Sequence, residues 1–299
     1  MKKSFPLLLI AMVAVFAISG CTGTPKTTAF VGGTDGLKMS FADLPSTIFA
    51  NVPFQLAVLV QNAGESAIEV GSATFTLNNA QNFNILVTDA TTRNKGLLQA
   101  AKIVQATIFP GGQEFITWGP AKFTGEAGIP ITEQQPVPIA VDACYGYSTT
   151  MITRVCIAKG KQICEPIAEK VIQNSGAPIQ ITKFKQIAQA ENDTVTLNFK
   201  IDVENKGGGD VYTAGATCPT PDSNSKDIFY VDKVILGDEV YAPQSLLNCD
   251  SIELSDNEGS TTCSITIPSV KTDYEEQLSI VLNYTYKQKL TAKIAIIPL

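Results

Sequence analysis

Phe54-Gln55-Leu56-Ala57-Val58-Leu59-Val60-Gln61-Asn62-Ala63-Gly64 is the stretch on which the fold turns. Phe54, Leu56, Val58 and Val60 alternate with other residues, the period of a strand that buries one face. The run ends in Asn-x-Gly, where Asn caps the chain locally and Gly accepts positive φ, so a turn follows. The same design returns later: Leu197, Phe199, Ile201 and Val203 alternate and lead into Asn205-Lys206-Gly207, an offset of 143 residues for both Asn and Gly. Tyr145-Gly146-Tyr147 leads through Met151, Val155 and Ile157; Tyr284-Thr285-Tyr286 leads through Leu290, Ile294 and Ile296, each position shifted by 139. Offsets this close, near the start and the end of each half, mark two copies of one unit.

Each copy reads as short strands separated by Gly, Pro, Asn and Asp turns, with little helical periodicity. Such spacing without alternating helices predicts an all-β chain of antiparallel β-sandwiches. The exception is Lys95 to Val104, where Leu97-Leu98-Gln99-Ala100-Ala101-Lys102 is expected to make one or two helical turns. The boundary between the copies falls in the turn-forming stretch Gln173-Asn174-Ser175-Gly176-Ala177-Pro178. The expected division is residues 37–172 for the first sandwich, with extra chain between about Asn78 and Pro110, and residues 173–299 for the second.

The strand followed by Asn-x-Gly resembles the CARDB group of immunoglobulin-like domains, found in tandem on surface proteins of bacteria and archaea. The likeness covers residues 37–77 and 179–213 directly. Cys144-Tyr145-x-Tyr147, Cys156-Ile157, Gly176-Ala177-Pro178-Ile179 and Asn205-Lys206-Gly207-Gly208-Gly209 also resemble two-domain archaeal exported proteins of unassigned function. The resemblance implies two tandem immunoglobulin-like antiparallel β-sandwiches and no activity.

Ahead of them, Met1-Lys2-Lys3, the apolar run Phe5 to Ile18, and Ser19-Gly20-Cys21 form a secretory signal of the lipoprotein kind. The apolar run is shorter than the roughly 20 residues of a membrane-spanning helix. Residues 1–20 are therefore expected to be cleaved, and Cys21 to carry a diacylglyceryl anchor. Two acyl chains anchor stably where one binds marginally. Residues 21–36 read as a polar, turn-rich tether that holds the folded part close to the membrane.

Loss of Lys2 and Lys3 takes the formal charge from −6 to −8. That acidity, with no basic run anywhere, argues against nucleic acid or anionic lipid headgroups as partners, since both need clustered Lys and Arg. The chain has no histidine, which removes Ser-His-Asp and Cys-His catalysis and imidazole metal sites together. Six cysteines follow Cys21: Cys144, Cys156, Cys164, Cys218, Cys249 and Cys263. An even number in an exported chain, without CxxC spacing, reads as disulfides and not as zinc. The expected pairs are Cys144 with Cys156 across a hairpin centred near Thr150, Cys249 with Cys263, and Cys164 with Cys218 between the halves. Cys156 with Cys164 stays open as an alternative because the intervening loop is short.

Trp118, beside Gly119-Pro120, is expected in the core, with sugar stacking as the alternative. Asp222 and Asn224 begin like a calcium loop, but Lys226 and Asp227 stand where Asp or Asn and then Gly are required. Asn192 and Asn283 open N-x-Thr sequons, glycosylation acceptors in a host that modifies exported chains. No cofactor, metal or catalytic residue is assigned. The expected role is that of a non-enzymatic, membrane-anchored cell-surface protein with a protein or glycan ligand. The alternatives are a secreted carboxylate-dependent hydrolase and a structural envelope or filament component.

Overall fold

The computed structural model describes residues 29–78, 85–87, 89–124, 131–160, 163–243 and 246–299. The first half forms β1 (Leu37–Ala42), β2 (Thr47–Phe49), β3 (Phe54–Asn62), β4 (Thr74–Asn78), β5 (Ile85–Leu86), β6 (Thr91–Arg93), β7 (Lys102–Val104), β8 (Thr107–Phe109), β9 (Gln113–Phe123) and β10 (Gln135–Ile157). The second forms β11 (Ile167–Glu169), β12 (Ile172–Asn174), β13 (Ile179–Glu191), β14 (Thr194–Asn205), β15 (Asp210–Thr213), β16 (Ile228–Leu236), β17 (Glu239–Tyr241), β18 (Leu247–Cys249), β19 (Ile252–Glu253), β20 (Glu258–Ile267) and β21 (Tyr274–Ile297). Among the described residues there is no α-helix, only a 3-10 turn at Ser223–Ser225.

The strands build a four-stranded sheet, β1-β3-β9-β5, and a five-stranded sheet, β11-β13-β14-β20-β18. Between them runs a ten-stranded sheet whose main path is β17-β16-β21-β10-β4-β6. Pairing is antiparallel except between β2 and β21. Alternation in β3 buries Leu56, Val58 and Val60, and in β14 it buries Leu197, Phe199, Ile201 and Val203. These rows meet the inward rows of the long sheet, Val137, Ile139 and Val141 of β10 and Leu278, Ile280 and Leu282 of β21, in one apolar cluster. Each such side chain, fully buried, stabilises by about 1.5–3 kcal/mol. The result is an all-β, sandwich-like fold.

β10 and β21 pair along their whole length, from Gln135↔Ile296 to Ile157↔Tyr274, with Gly146↔Thr285 at the centre. Beyond the centre each strand changes neighbours. β4 lies on Ala140–Cys144 and β2 on Ala295–Ile297, in register with the first half. β12 lies on Met151–Thr153 and β16 on Leu278–Asn283, in register with the second. The division expected at residues 172 and 173 therefore meets a sheet that crosses it. The closing strand of each half spends about half its length against the other half.

Three expectations are corrected here. The hairpin near Thr150 does not form, because Tyr147 to Ile157 holds β-branched residues and no Gly, Pro, Asn or Asp. Cys144 and Cys156 therefore lie twelve residues apart on one strand, ~40 Å in extended chain. The bridges are Cys144–Cys218, Cys156–Cys164 and Cys249–Cys263. The third is the expected pair, set by the register Cys249↔Cys263. The link between halves falls to Cys144–Cys218 and not to Cys164–Cys218. The helical turns at Lys95 to Val104 are absent as well. Leu98 is buried and bridges Ile68 instead, and the chain from Lys102 returns as the β7–β8 hairpin, so tertiary pairing overrides helix propensity.

Candidate functional site

The repeated motifs meet at the centre of the long sheet. Tyr147 Oη donates to Asn62 Oδ1 at 2.9 Å and accepts from the Ser66 amide at 3.3 Å. Its counterpart, Tyr286 Oη, donates to Asn205 Oδ1 at 3.1 Å and accepts from the Gly209 amide at 2.7 Å. In both turns the asparagine Oδ1 also accepts the amide of the glycine two residues on, Gly64 or Gly207. The glycines do not serve as expected, since neither has positive φ. They leave room: a Cβ at Gly64 would strike Tyr147 Oη, and one at Gly207 would strike Tyr286 Oη.

Register places Tyr145 opposite Tyr286 and Tyr147 opposite Tyr284. The rings pack edge-on, 5.6 Å between Tyr145 and Tyr147, 6.1 Å between Tyr145 and Tyr286, and 6.3 Å between Tyr284 and Tyr286. Burial raises the pKa of all four phenols, Tyr286 to about 12. They remain protonated and act as hydrogen-bond groups, with no acid–base role near neutral pH. Asp142, buried beside them, lies 3.3 Å from Lys287 and 3.9 Å from Lys289 of the facing strand.

The described chain from Ala29 is fixed to this junction. Glu65 accepts the amides of Val31 at 2.9 Å, Gly32 at 3.0 Å and Gly176 at 2.7 Å. Ala29 donates to Gln173 Oε1 at 3.0 Å, and Leu37 donates to Tyr145 Oη at 3.1 Å. The expected tether 21–36 is thus bound to the body from Ala29 onward.

Cys21 and the signal segment lie outside the described residues. All six later cysteines are bridged, which places the fold in an oxidising environment. Asn192 is exposed in the turn joining β13 and β14, with φ of 54°. Asn283 is half-buried in mid-sheet, between Ser148 of β10 and Tyr230 of β16. Trp118 is 2 % exposed and donates Nε1–H to the Ala90 carbonyl, which removes it as a sugar-stacking surface. Asp222 caps the short 3-10 turn, and Lys226 pairs with Asp210 at 2.8 Å, so the calcium pattern fails in space as in sequence.

An open cleft beside the five-stranded sheet is lined by Asp202, Glu204, Glu253, Glu258 and Lys183. Asp202 and Glu204 already pair with Lys200 and Lys206. Among the described residues no three acids, cysteines or histidines are placed to hold a metal ion. Sequence reasoning missed the β7–β8 hairpin, whose Val104, Ile108 and Phe109 are 44 %, 60 % and 46 % exposed. Its signal was available: Gln105-Ala106 between two apolar pairs, within a stretch free of acids from Lys95 to Gln113.

No family model and no curated protein matches the chain. Among solved structures it is similar to Escherichia coli alpha-2-macroglobulin activated by porcine elastase, at 8 % identity and a TM-score of 0.16. The match covers 88 % of this chain and 32 % of that one, so the chain spans about a third of that protein's length. A likeness this slight carries no argument.

Proposed function

We propose that the protein is a non-enzymatic, membrane-anchored surface protein. Lipid on Cys21 tethers it, and two tandem immunoglobulin-like β-sandwiches present a binding surface to a protein or glycan outside the cytoplasm. One observation carries the reading. The six later cysteines pair among themselves, which leaves Cys21 as the odd cysteine of an exported chain, at the end of a short apolar run and two small residues. The likeness to tandem CARDB domains and the duplicated Asn-x-Gly turns agree with a display role. The test is Cys21→Ser, which offers no thiolate for lipid transfer. The variant is expected in the soluble fraction or as unprocessed precursor; unchanged processing and membrane retention would refute the anchor. Cross-linking on intact cells then identifies the ligand.

A further inference from the structure

We infer that the β7–β8 hairpin is a second membrane contact, inserting its apolar tip into the lipid interface beside the anchor. Among the described residues β7 and β8 pair only with each other, through Lys102↔Phe109, Ile103↔Ile108 and Val104↔Thr107. Gln105 and Ala106 both have positive φ, so the ribbon closes in a tight two-residue turn. A lone two-stranded ribbon is marginal in water. This one is held at its root and not along its length. The Ala101 amide donates to the Gly64 carbonyl at 2.8 Å, the Gly112 amide to Gln99 at 2.8 Å, and the Asn62 amide to Gly112 at 2.9 Å. A Cβ at Gly111 would strike the Asn62 carbonyl, so the root is packed tight while the tip stands in solvent.

Two independent observations choose the occupant. The first is the absence of charge at the tip. From Ile103 to Gln113 the chain carries no charged residue, and the Glu114 carboxylate just beyond is held by the Lys95 and Gly96 amides. An uncharged ribbon that exposes Val104, Ile108 and Phe109 enters a lipid interface without burying a charge. The second is position. Gly64, which pins the root, precedes Glu65, which pins Val31 and Gly32 at the start of the described chain. Eight Cα–Cα steps lead from Cys21 to Ala29, so a lipid on Cys21 keeps the membrane within ~28 Å of that point. The ribbon reaches ~13 Å from its root. The tip is therefore on the part of the molecule that the anchor holds at the membrane. The two acyl chains on Cys21 hold the protein at the membrane, and the apolar tip adds a protein contact that sets its orientation there.

The inference rests on Cys21 as the lipid site, and the test separates the two. Residues 22–299, lipid-free, keep every described residue and are mixed with vesicles of equimolar phosphatidylcholine and phosphatidylglycerol. In Phe109→Trp the new indole is expected to shift its emission to shorter wavelength on adding vesicles, measured as the difference from the parent, whose buried Trp118 emits without responding to lipid. The triple variant Val104→Ser, Ile108→Ser, Phe109→Ser is expected to co-sediment with vesicles roughly tenfold less than the parent. All three side chains are exposed, so circular dichroism should match the parent. Unshifted emission, or equal sedimentation of parent and triple variant, overturns the hairpin contact. So does a parent that self-associates without vesicles through the same residues. Mass analysis of the native membrane-bound protein reports the lipid on Cys21 separately, so either claim can fail while the other stands.

Discussion

The two asparagine–tyrosine clamps share their chemistry and differ in what hangs from them. Asn205 Nδ2 closes its own turn by donating to the Gly209 carbonyl at 2.7 Å. Asn62 Nδ2 does the same to Ser66 at 2.7 Å and reaches further, to Leu98 at 3.0 Å, in the segment that carries the hairpin. Asn62 is correspondingly sealed, with no exposed surface, while Asn205 keeps a little. The parts alike in both halves are those the shared strand pair imposes. The part that differs is an elaboration grafted onto one clamp. The junction therefore defines the fold, and the insertion individualises one half.

The comparison can be broken first at the covalent link between the halves. Replacing Cys144 and Cys218 with Ala removes a 74-residue closure and should cost about 4 kcal/mol, against about 2.5 for the 8-residue closure Cys156–Cys164. Urea midpoints of the two double variants give the order, and equal losses would mean the halves need no cross-link. Next come the paired glycines. In Gly64→Ala the new methyl meets the Gly176 and Asp35 carbonyls as well as Tyr147 Oη, so backbone must move, with a loss of about 3 kcal/mol. In Gly207→Ala it meets Tyr286 and the Pro178 ring, and about 2 kcal/mol is expected. Thermal denaturation that ranks them the other way would place the tighter clamp in the second half.

The smallest effects belong to the phenol hydroxyls. Tyr147→Phe and Tyr286→Phe should each cost about 1–2 kcal/mol, since each leaves an asparagine oxygen and an amide short of a partner. The same hydroxyls set the alkaline limit. Burial raises their pKa in the folded state, so the folded protein holds these protons where an unfolded tyrosine, near pKa 10, has released them. Their stabilisation is complete below about pH 10 and is lost as pH rises above it. Stability measured against pH should fall in that range, and less steeply in the Phe variants. A fall of equal slope in all of them would assign the alkaline limit elsewhere.

Strand alternation and the 143- and 139-residue offsets were enough to read β3, β14 and the tyrosine pairs directly. Two copies were legible because buried faces repeat in the chain itself. Their mutual pairing was not, since the flanking cysteines suggest a hairpin near Thr150 although no turn former stands there. The strand runs on, with Leu282, Val281 and Ile280 of β21 opposite Thr149, Thr150 and Met151. Cys144–Cys218 was hidden for the same reason, as it joins β10 to the loop after β15, which pairs with β21. Leu97 to Lys102 misled through its helix formers, whose local preference yields to the bridge between Leu98 and Ile68. For function, the Cys21 proposal rests on sequence spacing alone, whereas the hairpin left a local signal in the sequence and the register of β7 and β8 makes its exposed tip explicit.

The central claim is that β10 and β21 form one continuous element binding two copies of a unit into a single cooperative body. Native-state hydrogen exchange measures this residue by residue. Amides of β10 on either side of Gly146, Ile139 to Tyr145 and Tyr147 to Val155, should open with one common free energy equal to that of global unfolding. If one side of Gly146 exchanges at a clearly lower free energy than the other, the halves open independently and the shared-strand account is wrong.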